Sequence, residues 1–193
     1  MRKLFTVVSA LALVVTAAQA SATTITFNSD VFVNVVSFTE QGVTFSAVGG
    51  GGMISALSTP NGTTGLLDNN TPRKQFRADI AGGTTSVSVD LGDFDADPDL
   101  LVLSIFNSSD VLLGTTSLAI DADFTGMLTL SLSAPGIAYA TFGSTVPSAN
   151  GSSVFADNFT FAAPAAVPEP ATLLLLGTGV AGVVARRRRS RRS

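Results

Sequence analysis

Five aspartates fall within ten residues, at Asp90, Asp93, Asp95, Asp97 and Asp99, and they are the most concentrated polar feature of the chain. At neutral pH, carboxylates this close in sequence repel one another unless water solvates them or a cation binds between them. Calcium suits such a group, because it accepts many carboxylate and carbonyl oxygens in loose geometry. The segment from Asp93 to Asp99 is therefore a candidate calcium site. The alternative is an exposed loop between strands, in which Asp and Pro form the turn.

The spacing of these aspartates does not match an EF-hand. Counting from Asp93, Pro98 stands at the sixth position, where Gly is needed, and Ser104 stands at the twelfth, where a bidentate Glu is needed. Any calcium site here would have a different geometry.

A second candidate calcium site comes from joining the two ends of the central domain. In many jelly rolls the first and last strands are neighbours, which would bring Asn28 and Asp30 close to Asp157 and Asn158. The alternative is that Asp157 and Asn158 satisfy a turn before the last strand.

The residue types that are missing exclude several chemistries. The 193 residues contain no Cys, no His and no Trp. The chain therefore has no disulfide, no thiol nucleophile, no Ser-His-Asp triad and no thiolate or imidazole metal ligand. A bound metal would have to be held by oxygen atoms.

The net charge of −3 combines segments of opposite character. Between about residues 23 and 167 three basic residues stand against thirteen acidic ones, a balance of −10. A domain with this charge repels phosphates, so we expect no nucleic-acid partner.

The three basic residues of this span are Arg73, Lys74 and Arg77. They can pair with neighbouring acids, or Arg73 and Arg77 can contact an anionic or hydroxyl-rich glycan. Tyr139 is the single Tyr, and the phenylalanines are typical of core and rim positions. Because sugars usually stack on Trp or Tyr, this composition favours pairing with acids.

The central residues have the composition and the periodicity of β-structure. Ser, Thr, Gly, Val and Phe are abundant, whereas Glu, Lys and Gln are scarce. Val87, Val89 and Leu91 alternate with polar residues, as half-buried antiparallel strands do. We predict an all-β fold, a two-sheet antiparallel sandwich of the jelly-roll type, over residues 23–162.

Turn residues divide this domain into candidate strands. Asn107 to Asp110 is typical of a hairpin loop, and Ala81-Gly82-Gly83 and Pro135-Gly136 mark further breaks. Residues 49–52 and 58–70 are predicted to be irregular. The predicted strands are 23–28, 31–38, 42–48, 53–57, 75–80, 85–92, 100–106, 111–117, 126–133, 137–143 and 154–162.

Residues 1–22 have the pattern of a secretory signal peptide, with a basic start, an apolar stretch and small residues before a cleavage point. Signal peptidase cleavage after Ala20 or after Ala22 fits this pattern equally well. The alternative is an uncleaved anchor helix, which the short apolar run disfavours.

The C-terminal end has three parts. An Ala/Pro-rich linker over 163–170 contains Pro168, Glu169 and Pro170, and a short transmembrane helix is predicted over 171–185. A cytoplasmic tail over 186–193 follows, and its basic residues favour the cytoplasmic side of the membrane. They are Arg186, Arg187, Arg188, Arg189, Arg191 and Arg192. Fifteen residues reach only about 22 Å, which favours temporary retention over permanent anchorage.

This tail resembles the PEP-CTERM sorting signal of Gram-negative bacterial surface proteins, from about Val167 to the end. The resemblance implies recognition by an exosortase at Pro168, Glu169 and Pro170, after a transient stay in the inner membrane. It also implies display at the cell surface or in the extracellular matrix, with exopolysaccharide and biofilm as the setting. A plain single-pass anchor would explain the helix and the arginines but not the Pro-Glu-Pro sequence.

Short segments of the middle are similar to galactose-binding-like and lectin-like ectodomains. They include residues 25–28, 41–45, 87–94 and 157–161. This resemblance implies a β-sandwich ectodomain.

The sequence thus predicts an exported protein that is not an enzyme. One alternative is a calcium-dependent carbohydrate-binding module, possible partners being extracellular polysaccharide and Ca²⁺. Another is a glycan-active hydrolase or lyase that uses two of the clustered carboxylates, such as Asp93 and Asp97, as acid and base. Nothing in the sequence pairs an isolated carboxyl with an apolar pocket, so this last alternative is disfavoured.

Overall fold

The structure is a computed structural model that describes residues 21–28, 31–70, 72, 75–94, 97–145 and 154–162. All regular structure within these ranges is β, and all strand pairs are antiparallel. The strands are β1 (Ala22–Ile25), β2 (Phe32–Val35), β3 (Ser37–Glu40), β4 (Val43–Ala47), β5 (Ile54–Ser58), β6 (Thr64–Asp68), β7 (Phe76–Asp93), β8 (Asp99–Phe106), β9 (Leu112–Ile120), β10 (Gly126–Ser144) and β11 (Phe155–Ala162).

Two long strands, β7 and β10, run side by side and organise the whole sheet. Their partnership shifts register near Ile137, where β10 passes through Pro135 and Gly136. At the same level β7 contains Gly82 and Gly83, which adopt φ angles of 78° and 73°. Glycine occupies this left-handed region without steric cost, so both strands can change direction here without ending.

On either side of this change of direction, β7 and β10 pair with different strands. Residues 76–80 of β7 and 139–144 of β10 lie with β3, β4, β8 and β9, which we call the first layer. Residues 86–93 of β7 and 126–133 of β10 lie with β1, β2, β5, β6 and β11, which we call the second layer.

The core lies between the two layers and is rich in phenylalanine. Phe159 of the second layer contacts Phe45 and Phe142 of the first layer, with ring centroids 5.3 and 5.5 Å apart. All three rings are fully buried. Each contributes roughly 1.5–3 kcal/mol of hydrophobic free energy, so these contacts hold the layers together.

All eleven strands and the buried core belong to one compact unit, residues 20–164. A unit that contains its whole core has what it needs to fold without the rest of the chain.

The structure confirms the all-β, antiparallel class. It also confirms the hairpin at Asn107 to Asp110, where the side-chain oxygen of Asn107 accepts hydrogen bonds from the amides of Ser109 and Val111 at 2.9 and 3.0 Å. The prediction that 58–70 is irregular is wrong, because β6 occupies 64–68. This strand has only five residues, with polar Thr64 and Asp68 at its ends and Gly65 inside it, so its local pattern is weak.

Three predicted boundaries also differ from the structure. The predicted strand 31–38 is divided into β2 and β3 by a bend at Val36. Conversely, 75–80 joins 85–92 as β7, and 126–133 joins 137–143 as β10. The glycine and proline residues between these segments predict strand ends, whereas in the structure they lie at bends within strands.

Residues 1–20 of the predicted signal peptide and the whole predicted transmembrane helix lie outside the described residues. Among the residues that the structure describes, no helix is long and apolar enough to cross a membrane.

Candidate functional site

Three aspartates converge where β7 ends and β8 begins. Asp93, Asp97 and Asp99 each place a carboxylate oxygen within 4.8 Å of the others. Asp93 is 0% exposed and Asp99 is 3% exposed, while Asp97 is partly exposed. The carboxylates of Asp93 and Asp99 are therefore shielded from water, and both lie close to the partly exposed carboxylate of Asp97.

Backbone and side-chain donors hold this cluster in place. The amide of Phe94 donates to the Asp93 carboxylate at 2.7 Å. The hydroxyl of Ser144, at the end of β10, donates to Asp99. Ser144 is 45 residues away in sequence, and no local signal in the sequence marks it as part of this site.

Gly92 lets the strands approach closely beside the cluster. A Cβ atom at this position would lie 1.9 Å from the carbonyl oxygen of Gly126 and 2.4 Å from the sulfur of Met127. Only glycine fits between these atoms, and Asp93 follows it in direct register with Gly126. This close packing fixes the position from which the Asp93 carboxylate projects.

The donor set fits a calcium ion in chemistry and in size. Calcium binds carboxylate oxygens at 2.3–2.6 Å, so two ligand oxygens on opposite sides of one ion are about 5 Å apart. The three oxygens of Asp93, Asp97 and Asp99 lie within that limit. Within the described residues, this is the one group of three acidic side chains that meets a metal-site geometry.

The other two aspartates of the sequence cluster do not belong to this group. Asp90 lies on β7, where its carboxylate accepts hydrogen bonds from the Thr129 hydroxyl and, at 2.8 Å, from the Asn158 side chain. Asp95 lies outside the described residues. Strand alternation separates Asp90 from Asp93, because residues three apart in a strand face opposite sides of the sheet.

The second predicted calcium site is only partly described. β1 pairs with β11 from Ala22 opposite Ala162 to Ile25 opposite Phe159, so the first and last strands are neighbours as expected. Asn28 is exposed, and its side-chain oxygen accepts from the amide of Thr64 at 2.9 Å. Asp30 lies outside the described residues.

Two further members of that site, Asp157 and Asn158, lie on β11: the Asn158 side chain donates to Asp90, and Asp157 is a buried carboxylate with polar neighbours. It is 2% exposed and accepts from the amide of Asn158 at 2.7 Å. Burial raises the pKa of Asp157, and the nearby charge of Asp90 adds to this effect, while hydrogen bonds from Asn158 and Thr63 oppose it.

A stack of aromatic and charged groups covers part of the outer face of the first layer. The guanidinium of Arg77 lies 3.6 Å above the ring of Tyr139, which stacks on Phe106 with a centroid distance of 4.7 Å. Arg77 also donates to Asp79 through Nε and Nη2, the latter at 2.6 Å. Pairing of the arginine with an acid, the interpretation favoured above, is confirmed for Arg77; Arg73 and Lys74 lie outside the described residues.

The tip of Tyr139 is fixed by the hairpin between β8 and β9. Its hydroxyl donates to Asp110 at 3.0 Å. Burial raises the pKa of Tyr139, and the hydrogen bond to Asp110 raises it further. The hydrogen bond to Asp79 raises the pKa of Arg77. Sequence reasoning missed Phe106 and Asp110 as neighbours of Tyr139, because strand register brings them together.

Hydroxyl groups surround this stack. Thr141 lies between Arg77 and Ser104 across three neighbouring strands, and Ser46 lies on the other side of Arg77. The outer face of the first layer thus combines one cation, one acid, an aromatic pair and several hydroxyls.

Of the predicted processing sites, the structure places only Ala22, as the first residue of β1. Ala20, Pro168, Glu169, Pro170 and the terminal arginines lie outside the described residues.

Comparison with protein families gives one match, at the C-terminal end. Residues 166–189 match the PEP-CTERM protein-sorting motif. The match begins four residues after β11 ends at Ala162. The sorting motif and the β domain are therefore adjacent in sequence and do not overlap. No curated protein matches the chain.

Several solved structures are similar to this chain at low sequence identity. The tandem CBM22 domain from Paenibacillus barcinonensis Xyn10C matches with a TM-score of 0.49 and 14% identity, over 81% of this chain and 48% of that one. The K1 cleaved adhesin domain of Lys-gingipain from Porphyromonas gingivalis W83 has a TM-score of 0.47 and 10% identity, over 75% and 99%.

An arabinose-bound α-L-arabinofuranosidase has a TM-score of 0.44 and 14% identity, over 70% of this chain. The chain spans a quarter of that enzyme and about half of the tandem domain.

Proposed function

We propose that this protein is an exosortase substrate, exported and then displayed at the cell surface or in the extracellular polysaccharide matrix. The match of residues 166–189 to the PEP-CTERM sorting motif carries this proposal. A signal peptide over 1–22 would start export, and the apolar segment 171–185 with its arginines would hold the precursor in the inner membrane until processing.

The position of the motif supports this sequence of events. The last of the described strands ends at Ala162, six residues before Pro168, so cleavage near Pro168-Glu169-Pro170 leaves the eleven described strands intact. The mature β domain would therefore keep its whole core.

Pulse labelling in a host with and without its exosortase tests the proposal. We expect a full-length precursor that is shortened at the C-terminus only when the exosortase is present. Glu169→Ala should slow this step, whereas Asp123→Asn, in an exposed turn, should not. Protein that stays full length in the presence of active exosortase contradicts the proposal.

A second candidate function for the β domain is glycan binding, and the outer face of the first layer favours it. Arg77 and Asp79 offer charged hydrogen-bonding groups, Thr141, Ser104 and Ser46 offer hydroxyls, and these groups lie on a continuous sheet surface. Protein sites for sugars combine such polar groups with aromatic faces.

Binding of the domain to the host's own polysaccharide tests this function. Arg77→Ala should weaken binding, while Ser131→Ala, on the outer face of the second layer, is the matched control. Equal binding by both variants would exclude this face. If calcium at Asp93, Asp97 and Asp99 supports the function, a chelator should lower the affinity as well.

We propose a binding or structural role and not catalysis. Asp93 and Asp99 are buried, so a polysaccharide chain has no direct access to their carboxylates. A glycosidase instead needs an acid and a base on either side of a scissile bond in an open cleft. Release of reducing sugar by the purified domain, lost in Asp93→Asn or Asp97→Asn, would contradict this assignment.

A further inference from the structure

A row of polar side chains crosses the outer face of the first layer, at right angles to its strands. Residues that lie opposite one another on neighbouring strands point to the same face of a sheet. Strand register therefore places one side chain each from β3, β4, β7, β10, β8 and β9 in this row. They are Ser37, Ser46, Arg77, Thr141, Ser104 and Thr115.

A second row lies beside the first, two residues away on each strand, and so on the same face. Its members are Thr39, Thr44, Asp79, Tyr139 and Phe106. We call the two rows together the polar strip. With neighbouring strands about 4.8 Å apart, the first row is about 24 Å long. The polar strip is therefore a narrow band that is much longer than a single sugar ring.

The charges of the polar strip balance, although the domain around it is acidic. Arg77 and Asp79 are its charged members, and the guanidinium lies 2.6 Å from the carboxylate. In the span from about residue 23 to residue 167, by contrast, acidic residues far outnumber basic ones. An anionic chain would be repelled by this domain and would meet an arginine whose charge Asp79 already balances. Charge complementarity therefore favours an uncharged ligand.

The polar strip offers hydrogen bonds more than a stacking surface. Arg77 covers Tyr139 from β7 and Phe106 stacks on it from β8, so the ring is only 7% exposed. The side chains of Arg77 and Asp79 are 34% and 46% exposed. The guanidinium donates, the carboxylate accepts, and the Ser and Thr hydroxyls of the strip do both. Sugar hydroxyls also donate and accept, so a hydroxyl-rich chain matches these groups.

The outer face of the second layer provides a comparison. Thr24, Thr160, Ser88 and Ser131 lie opposite one another across β1, β11, β7 and β10. This row also carries hydroxyls, but it contains no arginine, no carboxylate and no aromatic ring. The Arg77–Asp79 pair at the middle of the polar strip is therefore what distinguishes the first layer from an ordinary hydroxyl-bearing sheet face.

We propose that the polar strip binds an uncharged, linear polysaccharide whose chain lies across the strands, with the Arg77–Asp79 pair at its centre. This inference rests on the proposed glycan-binding function and adds the charge of the ligand and its direction on the sheet. Arg77 donates to sugar hydroxyls and Asp79 accepts from them. Ser46 and Thr115 contact sugars on either side of this pair.

The host's own polysaccharide, separated by anion exchange into an uncharged and an anionic fraction, tests the charge of the ligand. Affinity electrophoresis of residues 21–164 in each fraction measures binding. We expect the uncharged fraction to retard the domain and the anionic fraction to leave it unaffected. Binding of the anionic fraction, alone or equally well, would overturn this inference and leave glycan binding standing. Binding of neither fraction would contradict glycan binding itself.

Tyrosine fluorescence shows whether the uncharged fraction binds at the polar strip. Tyr139 is the single Tyr of a chain without Trp, and it lies against Arg77. A ligand that contacts Arg77 should therefore change this fluorescence. Binding that leaves the fluorescence unchanged would place the ligand elsewhere and overturn the inference.

Variants on opposite sides of Arg77 test the direction of the chain. Ser46 lies one strand from Arg77, and Thr115 lies three strands away on the other side. A chain along β7 would not reach Thr115. Ser46→Ala and Thr115→Ala should each raise the dissociation constant roughly two- to tenfold, because each removes a hydrogen bond to the ligand.

Ser131→Ala is the matched control, because it removes an exposed hydroxyl from the comparison row on the second layer. It should bind like the unmodified domain, and all variants should show the same circular dichroism spectrum. Unchanged binding by Thr115→Ala, or an equal loss in Thr115→Ala and Ser131→Ala, would overturn the proposed direction of the chain.

Discussion

Asp157 on β11 lies directly opposite Asp90 on β7, and only one of the two carboxylates is buried. Asp90 accepts hydrogen bonds from Thr129 and Asn158 at the partly exposed surface. Asp157 loses most of its hydration, which raises the pKa of its carboxyl, and the charge of Asp90 raises it further. The pair therefore disfavours the ionised form of Asp157.

This relationship predicts how Asp157 affects stability at different pH values. Because the pKa of Asp157 is higher in the folded state than its ordinary value of 3.8, the folded protein holds this proton more tightly than the unfolded chain. The stabilisation is fully present below about pH 3.8 and is lost as the pH rises through the raised pKa.

Asp157→Asn removes the ionisation and keeps an oxygen for the amide of Asn158. At pH 7 we expect the melting temperature to rise by about 3 °C, with a smaller gain at pH 4. Thermal unfolding at several pH values measures the difference, with Asp123→Asn as the exposed control. A loss of stability in Asp157→Asn that grows with pH would instead indicate a cation bound beside Asp157.

If calcium binds at Asp93, Asp97 and Asp99, it should stabilise the folded domain, and this stabilisation should depend on the partly exposed Asp97. Calcium at about 100 times its dissociation constant adds about 2.7 kcal/mol to the free energy of unfolding, a rise of roughly 5–10 °C for this domain. Thermal unfolding of residues 21–164 with calcium and with a chelator measures it.

The Asp97→Asn variant distinguishes a calcium site from an acidic loop that binds no ligand. With chelator the variant should be slightly more stable than the unmodified domain, because one of three mutually repelling charges is gone. With calcium it should gain much less. An unchanged melting temperature of the unmodified domain in calcium would leave these carboxylates as a structural feature of the strand ends.

Gly92 predicts a steric effect beside the same cluster. Gly92→Ala would place a methyl group 1.9 Å from a backbone oxygen, so we expect a loss of about 2–3 kcal/mol in the free energy of unfolding. Gly114→Ala is the control, since its nearest neighbour would be 3.7 Å away. Urea unfolding of both variants measures the difference, and an equal effect would contradict the close approach of β7 and β10.

Replacing Phe159 measures how much the contacts between the two layers contribute to the free energy of unfolding. Phe159→Ala removes the ring that contacts both Phe45 and Phe142, and we expect a loss of about 3–5 kcal/mol. Phe106→Ala, on the outer face, removes the stacking on Tyr139 and should cost closer to about 1 kcal/mol. If the two losses measured by urea unfolding were similar, the core would not lie where the structure places it.

The sequence was informative where the signal is local. Alternation of Val87, Val89 and Leu91 with polar residues predicts a half-buried strand, and all three side chains are buried on β7. Asn107 to Asp110 predicts a hairpin from turn chemistry alone. The sorting motif is likewise readable because it is contiguous, and residues 166–189 match it.

The sequence was less informative where the same residue type can either end a strand or bend it. Gly82, Gly83 and Gly136 suggest strand ends, but long-range pairing of β7 with β10 continues through them, so they act as bends. β6 is missed for the opposite reason, because its five residues become a strand by pairing with β5 and β11.

The sequence by itself therefore determined the all-β class, the acidic charge of the domain and the sorting motif, since each depends on composition or on neighbours along the chain. Only the tertiary structure decided which carboxylates meet. Asp93 and Asp99 converge with Asp97 through the pairing of β7, β8 and β10, while Asp90 turns to Asn158 and Arg77 to Tyr139. These contacts depend on register between strands tens of residues apart, and register is set by the burial of the whole sheet.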